Sequence, residues 1–302
     1  MERIWTTVVP DRWDGKRAGV YLRRELGLSA GLLARVKRTP GGLLRNGLPL
    51  RSDEILRRGD TVSVLLEREG ARSEAISPEP GELSILFEDQ DLLIVDKPAG
   101  LPVHQPAGRP GPSLGSIVLA HYGAEGQSFV FRPVHRLDRG TSGVMVIAKN
   151  PYVQEKLKGQ MHTGDFQREY LALVMGTPDP PEGIIRAPIG RKDGSVLLRE
   201  VREDGSPAVT RYETILTGEK FTLLHLILET GRTHQIRVHL NYLGHPVLGD
   251  FLYGTEEPEI LSRPALHSSV LSLRHPMTGA RLRLEAPLPA DMEHFLTGME
   301  PV

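Results

Sequence analysis

The sequence has no cysteine in 302 residues. Disulfides, thiolate zinc sites, iron–sulfur clusters and a cysteine nucleophile are therefore excluded. Long apolar runs are missing too. The longest, near 143–148, is about half a dozen residues, against the ~20 that cross a bilayer as a helix. The opening segment MERIWTTVVPDRWDG places an acid and a proline where a secretory signal needs an apolar core. These features predict a soluble, cytoplasmic protein. Aromatics are only 5%, which argues against a broad platform for stacking single-stranded bases.

What is present is ordinary in bulk and uneven in distribution. Hydrophobic residues at 39% and charged residues at 25% suit a globular chain. The length fits one large domain with a small companion. The formal net charge of −1 conceals a split: residues 1–72 hold 15 Lys+Arg and 9 Asp+Glu, a net of +6, and the remainder carries −7. The pattern predicts a small basic module on a larger, nearly neutral body, although arginine-rich surfaces also occur without a polyanion to meet them.

Residues 20–33 carry apolar side chains at helical spacing, interrupted at Gly27-Leu28-Ser29, and read as two short helices. Strand-like segments follow at 43–47 and 59–66. Residues 67–81, EREGARSEAISPEPG, read as a linker, which gives a module at 1–72, a linker at 73–82 and a body at 83–302. A fragment starting near Gly81 is then expected to fold alone. In the body, 84–87 and 92–95 read as strands, 113–122 as a helix and 144–148 as a buried strand. Asn150-Pro151 caps the next helix. Strands are expected at 169–174 and 221–228, with Asp-Gly turns at 193–194 and 204–205. His225, on a strand apolar on both faces, reads as a core histidine. Residues 233–243 suit a helix with the stripe Ile236, Leu240 and Leu243, stopped by Gly244. The fold class expected is α+β, with a mixed, mostly antiparallel sheet.

Two stretches can carry chemistry. In FRPVHRLDRGTSGVMVIAK (131–149), a strand carrying Val134 should lead into a polar loop, with a second strand from Gly143. Asp138 then sits among Arg136, Arg139, Thr141 and Ser142, where guanidinium groups favour an ionised carboxylate. Such a group suits a nucleophile or electrostatic stabiliser, and it equally suits an Asp that caps its own turn. In ETGRTHQIRVHLNYLGHPVLGDFLYG (229–254), Arg237 on a helix can grip a carboxylate or phosphate; a solvated basic helix explains it as well. His234 and His239 are five residues apart, about 140° around a helix, unlike the i,i+4 pair of a zincin. No metal is expected. The G-x-S-x-G pattern of serine hydrolases is absent around Ser142, and residues 108–115 match no phosphate loop.

HRLDRGTSG at 135–143 resembles the signature of the RluA-type pseudouridine synthases. ILFEDQDLLIVDKPAGLPVH (85–104), REYLALVMG (168–176), the 229–254 stretch and LHSSVLSLRHPMTG (266–279) match that family's other motifs in order. The resemblance spans roughly 83–290. The basic N-terminal segment is similar to a divergent S4-type RNA-binding domain. Two departures stand out: Gly140, where the family often has Asp, and the short, proline-rich loop at 105–112.

The resemblance implies Asp138 as the catalytic residue and Arg136 as the side chain entering the RNA helix when the target uridine flips out. It implies Tyr170 packing on the uracil, with a candidate role in proton transfer, and Arg237 as the salt-bridge partner of Asp138. His135 and Arg232 become RNA contacts. The expected enzyme is a pseudouridine synthase that breaks a C1′–N1 bond and makes a C1′–C5 bond in ribosomal or transfer RNA. It needs no cofactor and is expected to act as a monomer. A non-catalytic RNA-binding protein of the same fold is the alternative. A glycosidase normally needs a second carboxylic acid, which the matched motifs lack.

Overall fold

The computed structural model describes residues 2–73, 75–105, 111–254 and 260–302. The chain opens with β1 (Arg3–Val8), α1 (Ala18–Arg24), α2 (Ala30–Arg38), β2 (Leu43–Arg45), β3 (Leu48–Pro49) and β4 (Thr61–Glu67). The strands form an antiparallel sheet in the order β1-β4-β2-β3. Gly27 takes a left-handed φ of 65° between the two helices, which a side chain would resist. Ser29 then caps α2 by accepting the Leu32 N–H.

The larger layer is a ten-stranded sheet. Its strands are β5 (Ser84–Glu88), β6 (Leu92–Lys97), β7 (Ser142–Ala148), β8 (Gln167–Met175), β9 (Glu182–Arg186), β12 (Val209–Thr217), β13 (Phe221–Leu228), β14 (Leu266–Arg274), β15 (Arg281–Glu285) and β16 (Glu300–Pro301). A separate hairpin pairs β10 (Ile189–Arg191) with β11 (Arg199–Val201). The main order is β16-β12-β13-β8-β14-β7-β6-β5, with β15 on β14 and β9 on β12. All these pairs are antiparallel except β14 with β7, so the sheet is mixed and mostly antiparallel, as expected. Helices α3 (Leu114–Ala124), α4 (Pro151–Gln160), α5 (Gln235–Tyr242) and α6 (Ala290–Glu293) flank it. Ser113 and Ser116 form a reciprocal cap at α3, and Asn150 caps α4 with Pro151 at its first position. Among the described residues no helix is long and apolar enough to cross a membrane.

Alternate residues of the central strands face opposite sides of the sheet, and each side has its own core. One contains Leu93, Val95, Met145, Ile147, Tyr170 and Leu226. The other joins Leu92, Ile94, Val144, Val146, Tyr152 and Val153 to Leu22, Val36, Val62 and Leu66 of the N-terminal sheet and helices. The basic module is thus packed on the body through a shared apolar core. Arg3 grips Asp91 through two bonds of 2.9 and 2.8 Å, and Tyr152 Oη donates to Leu26 O at 2.8 Å. This opposes the expectation that a fragment from Gly81 folds alone, because cutting there uncovers the part of that core which packs on the module. The segment read as a linker lies along the body, with Ser73 N–H on Phe129 O and Glu79 N–H on Ser116 O.

Three local expectations are corrected. No regular strand leads into Asp138: the segment around Val134 meets β7 through a single bridge, Pro133 to Ile147, flanked by the bonds Val134 N–H to Val146 O and Ala148 N–H to Arg132 O, and Pro133 has no N–H with which to extend a ladder. The last helix of the site begins at Gln235 rather than Thr233, since His234 takes a left-handed conformation with φ 58°. His225 is half-buried and bonds Glu169 at 3.0 Å, because its strand turns that face toward the sheet's outer side instead of the core.

Candidate active site

Asp138 lies in a loop stitched to its surroundings by backbone bonds. Thr141 N–H donates to Asp138 O at 3.1 Å, and Gly100 N–H donates to Arg139 O at 2.8 Å. Arg139 Nε returns a bond to Gly100 O at 2.9 Å. Beneath the loop, fully buried Lys97 at the end of β6 donates to Pro98 O, Leu101 O and Arg139 O at 2.8, 2.9 and 3.4 Å. Burial pushes the Lys97 ammonium down to about 7, against the pull of Asp138. Gly140 packs on Pro264, whose Cδ would lie 2.9 Å from an added Cβ; the larger Asp common in the family would have to displace that ring.

Arg237, on the first turn of α5, reaches Asp138 Oδ2 through Nη1 at 3.4 Å. Its shorter bonds go to Asp250: Nε to Oδ2 and Nη2 to Oδ1, both 2.6 Å. Arg237 and Asp250 are buried, and although burial works against the guanidinium, the Asp250 bonds raise its pKa. Gly249 makes this approach possible, with a φ of 71° and Arg263 O only 2.3 Å from where a Cβ would sit. Tyr253 lies against the same guanidinium, 5.1 Å from ring centroid to Cζ.

The start of α5 is locked by one amide. Gln235 Oε1 accepts Thr230 Oγ1–H and Arg232 N–H at 2.8 and 2.9 Å, and Gln235 Nε2 donates to Val209 O and Thr210 Oγ1, each at 3.0 Å. His234 Nδ1 meets Tyr253 Oη at 2.8 Å, and that oxygen accepts the Arg199 N–H at 2.9 Å. His234 Nε2 faces Asp138 Oδ2 at 3.8 Å. Burial holds the His234 pKa below its ordinary value, against the opposing charge of Asp138.

These groups open onto a cavity of about 360 Å³ whose lining includes all six side chains expected from the sequence: Asp138, Tyr170, Arg237, Arg136, His135 and Arg232. Tyr170, on β8, is buried, and burial raises its pKa against the opposing influence of Arg168 and Ser268. Arg136 is exposed and has no hydrogen bond or ion pair among the described residues. Exposed Arg232 donates through Nε to Pro207 O at 3.0 Å. His135 is different. Its Nε2 accepts the Val146 N–H at 3.3 Å, its ring packs on Phe166 at 5.7 Å, and burial, aided by Arg168, pushes it down to about 3. It is therefore a neutral brace of the loop, and any RNA contact it makes is not through positive charge. Residues 106–110 of the proline-rich loop lie outside the described residues.

Three further histidines have separate partners in the fold. His239 bonds Thr210 and Ala187 O, His245 bonds Met175 O, and His267 bonds Ser142. Asp250, Tyr253, Lys97 and Arg168 were not singled out from the sequence. All four stand inside motifs quoted above. Arg168 was available from the strand period: it lies two residues before Tyr170 and shares its face.

The family model for RNA pseudouridylate synthase matches residues 91–242. The chain is 40% identical over 274 residues to "Uncharacterized RNA pseudouridine synthase YjbO" of Bacillus subtilis (strain 168), covering 91% of this chain and 96% of that protein. It is 38% identical over 275 residues to "Ribosomal large subunit pseudouridine synthase D" of Xanthomonas campestris pv. campestris, covering 86% and 81%. The solved human RNA Pseudouridylate Synthase Domain Containing 4 superposes with a TM-score of 0.58 at 25% identity, over 72% of this chain and 94% of that one. These likenesses establish that the chain belongs to the RNA pseudouridylate synthase family, as an RNA pseudouridine synthase of the RluA type.

Proposed function

We propose that this synthase isomerises specific uridines in structured ribosomal RNA in the cytoplasm, with Asp138 as its catalytic carboxylate. The observation that carries the reading is the Arg237–Asp138 contact of 3.4 Å at a cavity also lined by Tyr170. The names of two relatives, both a ribosomal large subunit pseudouridine synthase D, favour ribosomal over transfer RNA.

The chemistry follows from that arrangement. The target uracil leaves the stack at a cost of a few kcal/mol. Exposed Arg136 offsets this by filling the gap, and Tyr170 by stacking on the extruded base. The C1′–N1 bond breaks with its electron pair leaving on the base, and Asp138 meets the electron-poor sugar. The uracil turns, C5 bonds to C1′, the C5 proton is lost and N1 gains one. Atoms, charge and oxidation state balance without a cofactor. Arg237 keeps the carboxylate oriented, and the basic N-terminal module, read as S4-like, docks RNA phosphates. A glycosidase reading fails on the second carboxylate: Asp250 is tied to Arg237, and Glu229 to Arg211.

The test is pseudouridine mapping in total RNA from cells with and without the protein, complemented by parent or Asp138→Asn. The substitution keeps shape and removes the anionic oxygen, so the pure variant should bind RNA and lose turnover by several orders of magnitude. Turnover near the parent rate overturns the assignment.

A further inference from the structure

Arg168 is a buried cation without a counter-ion. It is 7% exposed, and no carboxylate lies within ion-pair distance of it among the described residues. Its single hydrogen bond runs from Nη2 to Thr230 O at 3.2 Å, and its Nε is buried without a partner. Arginine does not shed its charge by deprotonation, so the site holds a guanidinium whose desolvation the protein leaves largely uncompensated. Every other buried arginine of the body has an acid: Arg237 has Asp250, and Arg263 has Asp291.

The position of this cation narrows what completes it. Arg168 lines the Asp138 cavity. On β8 it shares with Tyr170 the buried face of alternating residues. The turn at Thr230–Gly231 closes over it, and a Cβ on Gly231 would lie 2.7 Å from Arg168 Nη1. The bare backbone of Gly231 therefore leaves room beside the one guanidinium nitrogen that has neither a hydrogen bond nor complete burial. RNA phosphates stay on the backbone at the rim, where exposed Arg136 and Arg232 stand. A flipped base enters further, next to Tyr170.

We propose that Arg168 is a catalytic residue that binds a carbonyl oxygen of the extruded uracil through Nη1 and stabilises the negative charge that develops there when the C1′–N1 bond breaks. This rests on the synthase reading above. The electron pair of that bond stays on N1 and spreads onto O2 and O4, and the Arg168 proton is shared in a hydrogen bond without being transferred. When C5 bonds to C1′ and loses its proton, N1 takes one up, and the guanidinium ends as it began. A fixed donor aimed at developing charge in a water-poor site acts chiefly on the rate.

The experiment uses full-length enzyme and large-subunit ribosomal RNA purified from cells lacking the gene, with pseudouridine formation followed in single turnovers at saturating enzyme. A parent enzyme that forms no pseudouridine defeats the synthase reading before any variant is made. With an active parent, Arg168→Met is expected to slow the reaction roughly 100-fold or more, the scale of losing one such donor, and to leave RNA affinity within about threefold. Arg168→Lys, with charge but no planar fork, should recover part of the rate. An Arg168→Met rate near the parent overturns the proposal. So does a loss of affinity with the saturating rate kept, which makes Arg168 a phosphate contact. If Arg168→Met does not fold, Gly231→Ala, with its melting temperature checked, replaces it. That variant crowds Nη1 directly, and an unimpaired Gly231→Ala rate overturns the proposal.

Discussion

Arg237 gives its two 2.6 Å bonds to Asp250 and reaches Asp138 only at 3.4 Å. Asp250 thus holds the guanidinium in place, leaving Nη1 to face the carboxylate in the cavity. The two acids have different surroundings: Asp250 is fully buried, and the Asp138 side chain keeps 20% of its surface exposed. The carboxylate that holds Arg237 and the one proposed to be catalytic share one arginine.

Asp250→Asn keeps the shape and removes the charge. Taking one partner from a buried pair typically costs about 3–5 kcal/mol, so urea unfolding should show a loss of that order. Arg237→Met should lower stability and turnover together. The double variant should be less damaged than the two losses summed, because Arg237 and Asp250 act as one unit. Additive losses would mean that the bidentate contact contributes little in solution.

Tyr170→Phe keeps the ring and removes the hydroxyl. Burial raises the Tyr170 pKa, so the hydroxyl stays protonated near neutral pH and acts as a hydrogen-bond donor. Turnover should fall, within the roughly 10²–10⁴ range of a positioned acid or base, and RNA affinity should hold. An unimpaired Phe variant confines Tyr170 to stacking.

Much of this site was legible in the sequence because its residues lie in contiguous motifs. The Asp138 loop, the Tyr170 strand and the Arg237 helix each carry local signals of turn, period and cap. The partners that orient them were not legible. Asp250 meets Arg237 across a turn whose path depends on Gly249 and Arg263 O, and His234 breaks the helical pattern at the residue where a cap was needed. The half-buried brace role of His135 also depends on a long-range partner, Val146. In the fold, strand positions followed from apolar patterning, but the sharing of one core between module and body did not. That contact is made by apolar residues far apart in sequence, such as Leu22 and Val146.

Lys97 gives a pH test. Its folded-state pKa is about 7 against 10.5 for the ordinary group. Between those values the unfolded chain holds a proton that the folded chain lacks, so this lysine makes stability rise with pH. The contribution climbs from pH 7 toward 10.5, by at most about 1.4 kcal/mol per unit, and is flat below. Lys97→Met removes the titration together with the three carbonyl contacts. The stability of the parent minus that of the Met variant should therefore increase from pH 7 to 10 in urea melts. A difference independent of pH would mean that Lys97 keeps its charge in the fold.

The N-terminal module offers the last test. Arg17, Arg23 and Arg24 are exposed around a cavity on α1 and have no ion pair among the described residues. Lys37 and Arg38, also exposed and without an ion pair among the described residues, extend the charge along α2. Deleting the module would uncover the shared core, so truncation confuses folding with binding. Changing Arg17, Arg23, Arg24, Lys37 and Arg38 to Gln keeps the surface polar and should leave the melting temperature within a few degrees. Phosphate contacts orient RNA without reading sequence, and each contributes about 0.7–0.9 to the slope of log affinity against log salt. The variant should therefore bind RNA more weakly at low salt, with a slope shallower by several such contributions, and with little change in the rate at saturating RNA. Converging affinities at high salt would locate the loss in counter-ion release. Equal affinity and equal slope across the salt series would limit these five residues to a solvated surface, with the module serving the fold alone.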